Sequence, residues 1–184
     1  PYMASLHPLE HIAHRDAVTN LPNRFLLTDR VRQALYQCQR RGQSLAMAYV
    51  DLDGLRAIEE THGPAVCDAF LIAITQRMKV VLREGDTLAR IGAEAFVAVL
   101  VDLDAPQDCE PVLSRLVSVA SEPASIKDQQ LSVTATIGVI LSPDGAVDVD
   151  LLLRHADQAL YHERSMGKSH YQLFDIDLNA ASAS

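Results

Sequence analysis

Residues 45–50 read Leu-Ala-Met-Ala-Tyr-Val, an almost wholly apolar run that ends abruptly in Asp51. Alternating apolar and polar residues would mark a strand with one wet face, whereas an unbroken run of this length reads as a strand buried on both faces. Such a strand lies inside a sheet with a layer packed on each side. It also delivers the carboxylates of Asp51 and Asp53 to the rim of that sheet.

The rest of the chain supplies the layers. Asn23 stands where an N-cap belongs, and Phe25, Leu26, Val31, Leu35 and Cys38 follow at helical spacing until Arg40-Arg41-Gly42 ends the run. Residues 65–82 repeat the helical pattern through Ala69, Phe70, Ala73, Ile74, Arg77 and Val81. Residues 87–91 and 96–101 are β-type runs around Gly92-Ala93-Glu94-Ala95, a hairpin by pattern. Residues 111–120 read as helix, 131–141 as a long strand, 149–165 as helix and 170–174 as a last strand. The expected order is α-β-α-β-β-α-β-α-β, an α+β domain whose helices cover a mixed sheet. Residues 1–15 read as a lead-in or linker helix, 16–175 as the domain and 176–184 as a C-terminal linker. A first residue of Pro rather than Met suggests a piece of something longer.

Charge narrows the partners. Sixteen Lys and Arg face twenty-four Asp and Glu, a formal net charge of −8. That balance argues against nucleic-acid coating and against an anionic membrane surface, and leaves open a local basic site for a small phosphorylated ligand. The longest uninterrupted apolar run, residues 95–101, is too short to span a bilayer. No secretory leader pattern is visible. Cys38, Cys67 and Cys109 are scattered and form no CxxC pair, which disfavours zinc and a disulfide framework and makes a reducing cytoplasm the expectation.

Four clusters carry chemistry, each beside a plainer reading. Asp51-Leu52-Asp53 ends a buried strand where hard cations and phosphates are commonly held, or simply caps the next element. In Gly92-Ala93-Glu94-Ala95-Phe96 a glycine admits a ligand to the backbone and an acid beside it reaches a metal; otherwise this is an ordinary turn with a solvated Glu. Arg83-Glu84-Gly85-Asp86 puts a guanidinium and a carboxylate on one tight turn. They form either a clamp for a phosphate and a guanine edge, or a local ion pair. Arg164-Ser165-Met166-Gly167-Lys168 suits a phosphate tail, or merely places basic charge at a helix C-terminus.

In order along the chain, these clusters resemble the GGDEF family, the diguanylate cyclase domains. Asp16-Ala-Val-Thr19-Asn20-Leu21-Pro22-Asn23-Arg24 resembles the opening D-x-L-T-G-L-x-N-R, and Asp51-Leu-Asp53-Gly-Leu55-Arg56-Ala-Ile58 resembles D-x-D-x-F-K-x-I. Arg83-Glu-Gly-Asp86 resembles the inhibitory RxxD motif ahead of the signature turn at Gly92, and Ala156-Asp157-Gln-Ala159-Leu160-Tyr161 resembles A-D-x-A-L-Y. The resemblance implies a five-stranded sheet wrapped by helices, related to adenylate cyclases. It implies Mg²⁺ or Mn²⁺ on Asp51, Glu94 and the Leu52 main chain, with Glu94 and Arg56 in catalytic positions. Nucleotide contacts fall on Asp68, Glu59, Gly92, Ala93, Arg164 and Lys168, and cyclic di-GMP at an inhibitory site falls on Arg83 and Asp86. The implied partners are GTP or cyclic di-GMP, a second copy, an upstream sensor, and an EAL phosphodiesterase domain beyond the segment 174–182.

The departures decide the expected function. Ala93 replaces the second glycine of the signature and Ala95 its fourth-position acid; Glu59 replaces the base-contacting Asn, Glu60 an Asp, Pro64 a His and Cys67 a Gly. An Asn donates and accepts, whereas an ionised Glu only accepts and meets the acceptor atoms of guanine unfavourably. The expectation is a degenerate GGDEF domain that binds GTP or cyclic di-GMP as a regulatory or dimerising module. The alternatives are a weakly active cyclase that retains Asp51 and Glu94, and a scaffold that binds nothing.

Overall fold

The computed structural model describes residues 14–142, 154 and 171–174. Helix α1, Arg24–Arg41, begins at Asn23, whose side chain accepts from the Leu26 N–H, and ends at Gly42 in the left-handed region (φ 67°). Its buried stripe is Leu27, Val31, Leu35 and Cys38, while Phe25 is 68% exposed; Leu27 therefore takes the inward position that the spacing had given to Phe25 and Leu26. Strand β1, Ser44–Asp53, follows, buried along almost its whole length.

A short helix that the sequence reading did not contain comes next: α2, Leu55–His62, starts at Gly54 (φ 113°) without any side-chain cap. Gly63 separates it from α3, Pro64–Val81, which opens on the proline that tolerates a missing first-turn N–H. Strands β2, Thr87–Arg90, and β3, Ala95–Leu103, form the expected hairpin. A 3-10 turn, Pro106–Cys109, leads into α4, Glu110–Ser121.

The long strand expected over 131–141 is corrected. Ala124–Ile126 (β4) and Gln129–Leu131 (β5) make a separate small hairpin, and β6 starts only at Thr134 and runs to Ser142. The turn between β4 and β5 is Lys127-Asp128, both with positive φ, and it carries Asp without the Gly that most strongly announces such a turn. Strand β7 is Tyr171–Phe174. The expected helix over 149–165 lies outside the described residues except for Arg154, which is helical. The lead-in 1–13, the tail, Arg164 and Lys168 also lie outside them.

The five-stranded sheet has the order β2-β3-β1-β6-β7. Its ladders are antiparallel except β6 with β7, so the sheet is mixed, as expected. Strand β1 sits at the centre and its residues divide by parity. Leu45 and Met47 pack with Leu27, Val31 and Leu35 of α1. Ala46, Ala48, Val50 and Leu52 face Phe70, Ile74 and Met78 of α3 and Leu113 and Leu116 of α4. Each large side chain fully buried this way contributes about 1.5–3 kcal/mol, which outweighs any local propensity along these helices. Both faces of β1 are covered, and the rim is left to its last residues.

Candidate functional site

The loop between β2 and β3 meets the end of β1. The Ile91 and Gly92 N–H groups donate to the Ala95 carbonyl at 2.9 and 3.2 Å, closing the turn, and the Leu52 N–H donates to the Glu94 carbonyl at 2.9 Å. The Arg56 N–H, at the start of α2, donates to Glu94 Oε1 at 3.3 Å. None of residues 92–95 has positive φ, and a Cβ built on Gly92 would meet only the Ala95 Cβ, at 3.4 Å. The turn therefore accepts Ala93 without backbone strain, and the consequences of that residue are confined to the cleft it lines.

Arg90 organises this turn from within. Its guanidinium donates to the Gly92 carbonyl (3.2 Å), the Ala93 carbonyl (2.7 Å) and Asp16 (3.1 and 3.3 Å). Asp16 in turn accepts from the Val18 and Thr19 N–H groups and from the Thr19 hydroxyl. Burial pushes the Asp16 carboxyl up, but the Thr19 hydrogen bonds and the Arg90 guanidinium outweigh it and hold the group below its ordinary 3.8. Asn20, in the glycine position of the opening motif, adopts φ 60°, a conformation Asn tolerates better than most residues. The opening motif is thus part of the scaffold of the signature turn. Arg90 was not singled out in the sequence; its place two residues ahead of Gly92 was the available signal.

Asp51, Asp53 and Glu94 bring carboxylate oxygens within 4.8 Å of one another. Asp51 is only 4% exposed. Asp53 is the member absent from the expected ligand set, although the two-residue period of a strand puts it on the same face as Asp51. Three convergent hard oxygen donors are the chemistry of a hard divalent cation rather than of a soft metal. An orphaned group agrees with that fit: Thr136, directly opposite Asp51 in the β1–β6 ladder, is wholly buried and its Oγ1 has no partner among the described residues. A buried hydroxyl left unsatisfied costs about 1–3 kcal/mol.

Beside the cluster opens a cleft of about 730 Å³ lined by α2, α3 and the signature turn, with Glu59, Glu60, Asp68 and Glu94 on its wall. The cations on the same wall are Arg56 and Arg90. Arg56, Glu59, Glu60 and Asp68 are exposed, whereas Cys67 is buried at the cleft floor and its thiol reaches the Leu55 carbonyl at 3.6 Å. Burial, then the charges of Glu59 and Asp68, push the Cys67 thiol above its ordinary value. The structure thus brings together Asp51, Glu94, Arg56, Glu59, Asp68 and Ala93, with Gly92 at the edge of the turn and Leu52 tied to it.

Arg83 and Asp86 lie elsewhere, in a separate depression of about 320 Å³ also lined by Arg15, Arg30, Lys79 and Glu84. The Asp86 carboxylate faces inward, 1% exposed, and accepts from the Arg83 N–H (2.9 Å) and the Val101 N–H (3.1 Å). Arg83 Nε lies 3.6 Å from Asp86, and its guanidinium donates to the Val101 carbonyl. The two residues are paired with each other and with β3.

Comparison with known proteins agrees with this fold. Residues 13–170 match the family described as "Diguanylate cyclase, GGDEF domain". The chain is 35% identical, over 94% of its length and 25% of the relative, to the bifunctional diguanylate cyclase/cyclic di-GMP phosphodiesterase MucR of Pseudomonas aeruginosa. It is 31% identical, over 92% of its length and 22% of the relative, to the cyclic di-GMP phosphodiesterase NbdA of the same organism. It therefore spans about a quarter of the length of these relatives. Among solved structures, the isolated GGDEF domain of TpbB from Pseudomonas aeruginosa superposes with a TM-score of 0.82 at 28% identity, covering 93% of this chain and 100% of that one. Among the described residues no helix is long and apolar enough to cross a membrane.

Proposed function

The chain belongs to the GGDEF family of cyclic di-GMP signalling domains, and on that premise we propose that it is a degenerate member, one that senses nucleotide rather than condensing GTP. The observation that carries this reading is the charge of the cleft. Glu59, Glu60, Asp68 and Glu94 line it, and of the two cations described on its wall Arg90 is already engaged by Asp16 and the turn carbonyls. Among the described residues this leaves Arg56 to face a triphosphate. Joining two GTP molecules requires each 3′-hydroxyl to be held in line with the other α-phosphate across a dimer, and a misplacement of about 1 Å costs on the order of a hundredfold.

Asp51, Asp53 and Glu94 are the residues that would hold Mg²⁺ or Mn²⁺. A divalent ion there supplies Lewis acidity toward phosphoryl oxygens. The Arg56 and Leu52 N–H groups fix the Glu94 side chain and main chain respectively. Ala95 brings no carboxylate to the fourth position, and Glu59 brings an acceptor where a guanine would need a donor. Arg164 and Lys168 remain proposed phosphate contacts, and Gly92 and Ala93 proposed main-chain ones.

A second reading, weak cyclase activity, is favoured by the intact carboxylate cluster. Incubating the purified domain with GTP and Mg²⁺ or Mn²⁺ and separating the nucleotides tests both. The expected outcome is unconverted GTP, and accumulation of cyclic di-GMP overturns the degenerate reading.

As a regulatory module the domain would act on neighbours in a longer protein: a sensor upstream, an EAL phosphodiesterase downstream, or a second copy. NbdA and MucR, both named as phosphodiesterases, support the downstream partner. Ligand binding communicates only if it favours one pose of the connection over another, with a typical coupling of about 1–3 kcal/mol. The phosphodiesterase rate of the parent chain is expected to respond to GTP or to Arg83→Ala, and a rate indifferent to both leaves only a scaffold.

A further inference from the structure

Asp51 and Thr136 stand opposite each other in the β1–β6 ladder, and Asp53 and Thr134 do so two residues further along. Opposed residues of an antiparallel pair carry their side chains on the same face, with Cβ atoms about 4.5–5.5 Å apart. Two carboxylates and two threonines therefore share one patch of the sheet, and Glu94 joins the carboxylates from the signature turn. Thr134 is half-buried. Thr136 is wholly buried, and among the described residues its Oγ1 has no hydrogen-bond partner. Interiors seldom keep such a group, and a valine would occupy the same volume without the penalty. The hydroxyl needs a partner that the described residues do not provide.

We infer that Thr136 is a positioning residue of the cation site, its hydroxyl accepting a hydrogen bond from a water carried by a divalent ion on Asp51, Asp53 and Glu94. The inference rests on the reading of that cluster as a cation site. It follows from the chemistry of the ion: Mg²⁺ held by few carboxylates keeps several of its waters, and a water turned toward the sheet requires an acceptor there. Groups of this kind do not touch the metal, yet they commonly set its affinity by about 10–100-fold. The chemistry also predicts an asymmetry. Without metal the hydroxyl is a liability, and with metal it is an asset.

Titrating the purified domain with Mn²⁺ alone, reading free Mn²⁺ by electron paramagnetic resonance, tests this without nucleotide or turnover. Thr136→Val is expected to weaken Mn²⁺ binding about tenfold or more, and Thr136→Ser to stay close to the parent. In thermal melts Thr136→Val is expected to match or exceed the parent without metal and to gain less from added Mn²⁺. A purely structural threonine would give the opposite sign in the metal-free melt. Should Thr136→Val fail to fold, Thr136→Ala carries the same comparison. Equal Mn²⁺ affinity for the parent and either variant overturns the inference alone. A parent that binds no Mn²⁺, or whose affinity is unmoved by Asp53→Asn, overturns the cation reading of the cluster and this inference with it.

Discussion

Two depressions among the described residues of this domain carry opposite charge. The one at the signature turn is walled by Glu59, Glu60, Asp68 and Glu94, with Arg90 already tied to Asp16. The one at the Arg83 turn is walled by Arg15, Arg30, Lys79 and Arg83 against Glu84 and an inward-facing Asp86. Both lie on a chain of net charge −8, so the basic depression is a local exception to the field around it. Counting the described residues alone, nucleotide phosphates meet attraction in the second and, unless a cation intervenes, repulsion in the first. This contrast in charge is what the proposed sensing role predicts.

Restoring the first cleft is the largest effect with which to break that comparison. The combination Ala93→Gly, Ala95→Glu and Glu59→Asn is expected to raise cyclic di-GMP formation from GTP by on the order of a hundredfold over background. Unchanged background would place the defect outside these three positions.

The second cleft is sharpened by separating its two motif residues. Arg83→Ala removes a charge-assisted contact and is expected to weaken cyclic di-GMP binding by roughly 10–100-fold in calorimetric titration. The loss should shrink at high salt, because the depression is open to solvent. Asp86→Ala acts differently. Its carboxylate holds the Arg83 and Val101 N–H groups, so stability should fall by about 1–3 kcal/mol while affinity changes little. A large loss of affinity at unchanged melting temperature would show that the turn opens and presents Asp86 to the base.

How far these sites could be read in the sequence depended on where each residue's signal lies. Helix α1 was evident because Asn23 and Gly42 announce its ends chemically. Helix α2 was missed because it has eight residues and no side-chain cap. The start of β6 was misplaced because Lys127 and Asp128 make a left-handed turn without glycine. Asp51 and Glu94 were evident as a pair, but Thr136 was not, since its meaning comes from a ladder register that pairs residues far apart in the chain. Asp86 showed its type but not its direction: whether a carboxylate faces ligand or backbone is decided by the turn around it.

Asp16 and Arg90 test whether the scaffold of the signature turn is separable from its chemistry. Their ion pair is mostly buried at 3.1 Å, and Asp16→Asn is expected to cost about 1–3 kcal/mol at pH 7. The sign with pH follows from the lowered carboxyl. Its contribution is present above the ordinary 3.8 and disappears as pH falls through the lower folded value, so the gap in melting temperature between variant and parent should close in acid. Arg90→Lys should not rescue the turn, because a single ammonium cannot reach Asp16 and both carbonyls in the planar geometry a guanidinium offers.

The smallest effect is also the most direct probe of cleft charge. Cys67 sits at the floor of the acidic cleft, 7% exposed, and burial followed by the Glu59 and Asp68 charges holds its thiol above the ordinary 9.0. Cys109 is pushed up to about 11, by burial first and then by Glu110. Glu110 opens α4, so the charges acting on Cys109 are not those of the cleft. Glu59→Gln should therefore lower the Cys67 pKa and leave Cys109 alone. Because the thiolate is the reactive form, the alkylation rate of Cys67 by iodoacetamide at pH 8.5 should rise by about two- to threefold, read by peptide mass spectrometry with Cys109 as internal control. Added salt should compress the difference, since Glu59 is exposed and its field is screened over about 10 Å at 0.1 M. Equal acceleration at both cysteines would signal loosening of the fold rather than relief of charge. No acceleration at Cys67 would mean that the carboxylates on the cleft wall exert too little field at its floor to repel a phosphate, and would remove the electrostatic half of the argument against catalysis.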